Sequence, residues 1–112
     1  MLIQKEFSLF AGETIKAIDI MGEHGWVDML MDVGRKLDKA ESEGIARVAH
    51  YLRQLGQLQY AREMYKKVGE IKAVVTLYVE AQEWQEAFGL AEKYPEHREA
   101  VYVPYAKWYV NC

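Results

Sequence analysis

The sequence predicts an all-α fold, specifically an α-solenoid built from antiparallel helical hairpins. Apolar residues recur with a period near 3.6 through almost all of the 112 residues, which is the spacing of one helix face. One pattern occurs at residues 11–25, 55–69 and 81–95: a large or β-branched residue, then an alanine three places later, then apolar residues three and four places further on. Repeated hairpins stack into solenoids that hold other macromolecules, so the pattern favours a scaffold.

The three copies also predict where paired helices touch. Leu58 and Ala61 of the second copy recur 26 places later as Trp84 and Ala87. The first copy, with Ala17 in the alanine position, lies 44 places before the second, so one additional helix is expected between them. A small alanine lets two helices approach closely while larger neighbours fill the adjoining groove. The predicted hairpin-packing residues are Ala17, Leu58, Ala61, Trp84 and Ala87.

Short polar or glycine-containing steps separate the apolar stripes. We expect hairpin turns at Gly12, at Gly56-Gln57 and near Glu83, because connections this short leave the flanking helices antiparallel. After the helix of the first copy, the stripes predict helices over about residues 26–37, 45–55, 58–68, 71–82, 84–94 and 96 to the end. The helix over 26–37 is expected to place on one face Trp26, Met29, Leu30, Val33 and Leu37.

Glycines and prolines mark the expected helix ends. Gly25 and Gly69 directly follow apolar stripes, where a left-handed residue closes a helix. Pro95 suits the first position of a new helix, since that position needs no N–H. Pro104 is expected to bend or divide the last helix. The most polar segment, residues 38–44, is predicted to be an exposed loop.

Composition and charge argue against several classes of function. A net charge of −3 gives no electrostatic reason to bind nucleic acid. Residues 22–25 have the Gly-x-x-Gly form that clamps nucleic-acid backbone in KH domains, but they lack basic neighbours and are interpreted as a helix end. The single cysteine, Cys112, cannot form an internal disulfide, and no apolar run is long enough to cross a bilayer. We therefore expect a cytosolic chain that binds no nucleic acid and does not insert into a membrane.

The chemically capable side chains do not form a recognisable catalytic or metal site. The three histidines fall in different repeats at no metal-binding interval, and a terminal cysteine has no positioned base. Three glutamates at helical spacing have polar neighbours, so a solvated face is the expected interpretation. The sequence therefore predicts no enzyme, cofactor, metal or small-molecule ligand. The side chains considered are His24, His50, His97, Cys112, Glu80, Glu83 and Glu86.

The run from Lys5 to Trp26 resembles the helical-repeat region of a large subunit of intraflagellar transport complex A. Residues 35–41, 84–88 and 102–108 resemble the same region. In that family WD40 propellers precede a tetratricopeptide-like solenoid. The spacing of 26 residues between two of the copies is shorter than the ~34 residues of a standard tetratricopeptide repeat, so the predicted solenoid is described as tetratricopeptide-like.

The resemblance implies a non-enzymatic scaffold segment of a ciliary transport complex, active in retrograde transport, cilium assembly and the entry of membrane proteins into cilia. It implies other complex A subunits and ciliary membrane-protein adaptors as partners, and the cytoplasm, the cilium and its basal body as locations. Compared with the family, residues 1–112 are expected to be one solenoid segment truncated at both ends. Two alternatives are an α-solenoid of the vesicle-coat type and a free peptide-binding repeat module.

The last helix is a candidate interface. It aligns with the helix that contains Ala49, since Ala106 lies 57 places later, and so corresponds to the first helix of a hairpin whose second helix is missing. An apolar helix face without its partner is exposed and favours association. The sequence predicts self-association or partner binding through the face that carries Val101, Tyr105 and Trp108.

Overall fold

The computed structural model describes residues 11–111, and all regular secondary structure within them is helical. This confirms the predicted all-α fold of tetratricopeptide-like character. A 3₁₀ turn, Pro95–His97, precedes the last helix. The α-helices are α1 (Ala11–Glu23), α2 (Val27–Lys36), α3 (Ser42–Gln54), α4 (Leu58–Lys67), α5 (Ile71–Glu80), α6 (Trp84–Lys93) and α7 (Arg98–Val110).

The described residues form two compact units, one ending at Val68 and the other beginning at Gly69. In the first unit, α1 with α2 and α3 with α4 form two hairpins. Helix α3 packs against both helices of the first hairpin, and α4 packs against α3 and α2. The core of this unit consists of apolar side chains withdrawn from solvent, including Ile18, Leu30, Ile45, Val48, Ala49, Leu52, Ala61 and Met64.

The second unit contains the hairpin of α5 and α6, with α7 packed against both helices. Its core is built around Val75, Ala87, Ala91 and Val101, each with no exposed surface. Partly buried aromatic and aliphatic side chains surround this core. Helix α7 therefore takes the same place on the hairpin before it that α3 takes in the first unit.

Each hairpin turns through one residue in the left-handed conformation. At the second turn, the N–H of Gly56 donates to the carbonyl of Arg53 at 3.0 Å, and the next N–H donates to Leu52 at 2.8 Å. The same pair of bonds closes the turns at Gly25 and Gln82, and φ at the three central residues is 72°, 78° and 58° in chain order. This arrangement satisfies carbonyls that the helix end would leave unpaired. The predicted turns at Gly56-Gln57 and near Glu83 are confirmed, as is left-handed Gly25.

Three expectations about local structure are corrected. Gly12 does not form a turn, because it lies inside α1, and the residues before Ala11 lie outside the described part of the chain. The predicted loop is shorter than residues 38–44, because α3 already begins at Ser42. The expectation that Pro104 divides the last helix is wrong, because the helix continues through it to Val110, whereas a bend there stays a prediction. A proline inside a helix removes one hydrogen bond and crowds the carbonyl four residues before it, which costs stability without always ending the helix.

Close approach between helices depends on glycines that the sequence pattern did not single out. The ring of Tyr51 lies directly on Gly22, so that a Cβ at residue 22 would overlap the ring. Gly34 is covered in the same way by the sulfur of Met64. At Gly44 a Cβ would lie 3.0 Å from a methyl group of Leu37. At Gly22 and Gly34, therefore, the close packing of the first unit requires the absence of a side chain, whereas a Cβ at Gly44 would need Leu37 to move by a few tenths of an ångström.

The predicted hairpin-packing residues occupy two kinds of environment. Ala61 and Ala87 are fully buried, as a close helix contact requires. Ala17 is only half-buried, and the next residue takes the core position on α1. Leu58 and Trp84, which begin α4 and α6, are also half-buried. The alanine of the pattern is thus a core residue in α4 and α6 but not in α1.

We predict that Gln82→Gly raises the free energy of unfolding by about 1 kcal/mol. Glycine relieves the strain of an L side chain in the left-handed region, roughly 1–2 kcal/mol, but its greater freedom in the unfolded chain offsets part of this gain. The reverse change at the equivalent turn, Gly56→Gln, should lower the free energy of unfolding by a similar amount. Urea unfolding followed by circular dichroism measures both. Equal stability of the two variants would contradict the left-handed turns.

We predict that Gly22→Ala and Gly89→Ala change stability in opposite directions. Alanine at residue 22 must displace the ring of Tyr51 and should cost about 1–3 kcal/mol. Gly89 lies within α6 and has open space around it, so alanine there should stabilise the chain by up to about 1 kcal/mol. Thermal unfolding of the two variants checks the pair, and a stabilised Gly22→Ala variant would contradict the close contact.

We predict that Ala61→Leu and Ala87→Leu each destabilise their unit by about 1–3 kcal/mol, because both positions are fully buried and the larger side chain overpacks them. Gln59→Leu, at an exposed position on α4, is the control and should melt with the parent. If the two buried-site variants also melted with the parent, the packing at these alanines would be looser than described.

Candidate interaction surface

Polar side chains fasten α1 to α3 on one side of the first unit. The guanidinium of Arg47 donates to the carboxylate of Asp19 at 3.0 Å, and the hydroxyl of Tyr51 donates to the same carboxylate at 2.8 Å. The hydrogen bond to Asp19 is the main cause that raises the pKa of Tyr51 above its ordinary value, with burial as the second. Because the ring of Tyr51 also covers Gly22, this contact fixes both the separation and the register of the two helices.

A second set of contacts fastens α2 to α4. Arg35 donates two hydrogen bonds to the carboxylate of Glu63, at 2.9 and 3.1 Å. This pairing lowers the pKa of Glu63 and raises that of Arg35. The ammonium group of Lys67 donates to the backbone carbonyls of Gly34 and Arg35 at 2.8 and 2.9 Å, where the end of α2 leaves carbonyls without partners. The exposed edges of both hairpins are therefore held by directional contacts.

Three large apolar side chains remain about half exposed near the turn between α1 and α2. They are Ile20, Trp26 and Met29. Trp26 stacks on the ring of His24 with a centroid distance of 4.8 Å, so its position is defined although it faces solvent. Of the predicted stripe over 26–37, Leu30 is fully buried, but Trp26 and Met29 face outward. The buried face of α2 is therefore rotated away from the predicted stripe toward Met31, which lies outside the stripe and is buried.

Aromatic rings join α6 to α7 in the second unit. Trp84 contacts Tyr105 and Trp108 with centroid distances of 5.3 and 5.5 Å. Phe88 contacts Tyr102 at 5.3 Å and Tyr105 at 4.9 Å. Edge and tilted contacts at these distances stabilise aromatic pairs beyond the burial of their area. We define these five side chains as the aromatic cluster.

The aromatic cluster corrects the predicted interface on α7. The prediction that Val101 belongs to an exposed face is wrong, because Val101 is 0 % exposed and lies in the core of the second unit. Tyr105 and Trp108 are half-buried because they pack on Trp84 of the preceding hairpin. The sequence argument assumed that this face had no partner, whereas α6 supplies one. Partner binding through Tyr105 and Trp108 stays a prediction.

The side of α7 that faces solvent is apolar as well. Tyr102 is 47 % exposed and Tyr109 is 67 % exposed. Between them lies exposed Ala106, and most of the neighbouring exposed side chains are apolar, whereas Glu99 and Lys107 are charged. We define as the outer stripe the five residues Tyr102, Val103, Ala106, Tyr109 and Val110.

The side chains with chemical capacity lie apart in residues 11–111. The Nδ1 atom of His24 lies 2.9 Å from the carbonyl of Ile20 at the end of α1, and His50 is hydrogen-bonded to Gln54. Within this described range, no three side chains of the histidine, cysteine, aspartate or glutamate type come together as metal ligands. None of the described helices is long and apolar enough to span a membrane. Cys112 lies outside the described residues.

Sequence reasoning missed the polar contacts between neighbouring hairpins. Arg35 and Glu63 lie 28 positions apart, and so do Asp19 and Arg47, with the charges in reverse order. Opposite charges at this separation are common by chance in a chain with 28 % charged residues, so the spacing alone did not distinguish them. The separation is equal because each pair joins equivalent helices of the two successive hairpins, α1 to α3 and α2 to α4. The spacing therefore identifies a contact only once the positions of these helices are known.

Comparison with known proteins agrees with the helical architecture. The family described as "IFT122, TPR domain" matches residues 2–112. Proteins named "Intraflagellar transport protein 122 homolog" are 57 % identical in Danio rerio, 54 % in Xenopus tropicalis and 53 % in Homo sapiens, each over 103 residues and 92 % of this chain. The chain spans only 9 % of the first two relatives and 8 % of the third. On this match over nearly its whole length, the chain belongs to the IFT122 TPR-domain family.

Proposed function

We propose that this chain is a non-enzymatic scaffold segment of a subunit of intraflagellar transport complex A. The observation that carries the proposal is the identity of 53–57 % over 103 residues to proteins named "Intraflagellar transport protein 122 homolog". Residues 1–112 then act as one helical-repeat segment, which is supported by a family match that runs through both compact units. The same match favours this function over a vesicle-coat solenoid or a free peptide-binding module.

The geometry supports binding through surfaces that are held in place. Directional contacts such as Arg35 with Glu63 hold the hairpins in register. Large side chains such as Trp26 and Tyr109 remain exposed on these fixed helices. Aromatic side chains that present apolar area from a rigid support are favoured at protein interfaces. The partners proposed are other complex A subunits and ciliary membrane-protein adaptors.

In this proposal the segment contributes to retrograde ciliary transport, cilium assembly and the entry of membrane proteins into cilia. Its locations are the cytoplasm, the cilium and the basal body. The contribution is geometric: stacked hairpins fix the distance and direction between the proteins bound along them. Since the chain is less than a tenth of the length of its relatives, these roles belong to an assembly in which the segment takes part.

Immunoprecipitation of the tagged full chain from ciliated cells tests the proposal. We expect complex A subunits to be enriched, identified by quantitative mass spectrometry. Ala61→Arg, which places a charge in the core, is the unfolded control and should lose the enrichment. Gly89→Ala, a change in open space, is the folded control and should retain it. Absence of complex A subunits, or equal recovery by the unfolded control, would contradict the proposed function.

A further inference from the structure

A shallow depression lies beside the turn between α1 and α2, and we name it the Trp26 depression. Its volume is about 490 Å³, and its lining consists of Gly25, Trp26, Val27, Asp28 and Met29. The side chains of Trp26 and Met29 are 45 % and 49 % exposed. The ring of His24 stacks on the indole with a centroid distance of 4.8 Å and supports it. The Trp26 depression therefore combines an accessible aromatic ring, aliphatic surface and a carboxylate, with room for one long side chain.

The carboxylate in the Trp26 depression is available to another molecule. Asp28 is exposed, and within residues 11–111 it forms no hydrogen bond or ion pair. Glu23, at the end of α1, is exposed as well and has no ion-pair partner in the same range. Carboxylates near an apolar surface favour an occupant that carries both positive charge and apolar area, because the potentials of the two sides are then complementary.

The other hairpins show that the stacking of hairpins does not cover this position. Counted from the left-handed turn residues, Asp28 corresponds to Gln59 in α4 and to Gln85 in α6. Gln59 is exposed although α2 of the preceding hairpin packs against α4, and Gln85 is exposed although α7 follows α6 and packs against it. The side of the second helix that carries Asp28 thus faces away from both the preceding and the following helices of the repeat.

The chain itself shows how an aromatic ring and a carboxylate bind an arginine on this side. The guanidinium of Arg35 lies 6.0 Å from the centre of the Tyr60 ring and donates two hydrogen bonds to Glu63. The residue of α2 that corresponds to Glu63 is Asp32, which already pairs with Lys36 at 3.1 Å. The indole and the carboxylate of the Trp26 depression are a separate pair, and residues 11–111 place no cation on them.

We propose that the Trp26 depression binds an arginine side chain of a partner protein that presents a basic surface. The guanidinium packs on the indole and pairs with Asp28, while the aliphatic part of the side chain contacts Met29. Arginine is favoured over lysine because its planar guanidinium stacks on aromatic rings and forms paired hydrogen bonds with a carboxylate. A second copy presenting the same depression would bring the carboxylates of Asp28 and Glu23 against their own equivalents, which is repulsive.

The proposal goes beyond the scaffold function, because it rests on the geometry of the first unit and holds whether or not the partner is a subunit of complex A. Its failure is also separate from a failure of the immunoprecipitation, since it is tested on the purified chain with a small molecule. The probe is N-acetylarginine amide, and the control is N-acetylcitrulline amide, which has nearly the same shape and no charge.

NMR spectroscopy of the full chain tests the proposal through the indole N–H of Trp26 and the methyl group of Met29. N-acetylarginine amide should shift both signals in a saturable way. The citrulline compound should bind about fivefold more weakly, because it loses an exposed cation–π contact and an ion pair. Equal binding of the two compounds, or no shift at these two residues, would overturn the proposal. A shift of the indole signal on concentrating the chain without any compound would assign the depression to a second copy and would overturn it too.

A matched pair of variants tests the role of the carboxylate. Asp28→Asn should weaken binding of N-acetylarginine amide about threefold, the effect of an exposed ion pair, and leave binding of the citrulline compound unchanged. Asp32→Asn, one turn further along α2, is the control and should bind like the parent, since its carboxylate already pairs with Lys36. Both residues are exposed, so the helical circular dichroism should not change. Equal weakening in the two variants would contradict the pairing with Asp28, and the comparison of the two compounds decides the proposal if a variant fails to fold.

Discussion

Close approach between helices is the constraint on which the rest of this structure depends. Two helices approach most closely where at least one of them presents little or no side chain at the contact. Gly22 beneath Tyr51, Gly34 beneath Met64 and the buried Ala61 are the places where the first unit meets this condition. Once the helices are this near, hydrogen bonds such as that between Tyr51 and Asp19 become possible at 2.8 Å. The polar contacts at the edges are thus a consequence of close packing and also fix its register.

The left-handed turns act together with this constraint. A turn of fixed geometry sets the angle at which the second helix of a hairpin leaves the first, and the small residue then sets the distance. Gly25, Gly56 and Gln82 give the same two backbone hydrogen bonds at three turns. Gln82 shows that the repeat geometry determines the backbone conformation even where the side chain disfavours it. The packing of the flanking helices therefore offsets the cost of the left-handed conformation at Gln82.

Much of the fold was predictable because its signals are local. The 3.6-residue period, the left-handed glycines Gly25 and Gly69, and the turn at Gly56 all follow from the conformations that single residues allow. The face that each helix buries was less predictable, because it depends on what the neighbouring helix presents. The apolar spacing of α2 favours Met29 as a core residue, but the neighbouring helices bury Met31 instead.

The candidate interface shows the same limit. The sequence correctly indicated an apolar last helix but assigned the exposed face to Val101, because it did not take into account that α6 of the preceding hairpin covers this side. A helix in a solenoid contacts its hairpin partner on one side and the neighbouring hairpin on another, so its apolar residues belong to two stripes. In α7 the stripe with Val101 meets α6, and the stripe with Tyr109 faces solvent. The apolar surface available for association lies one position further round the helix than the sequence alone indicated.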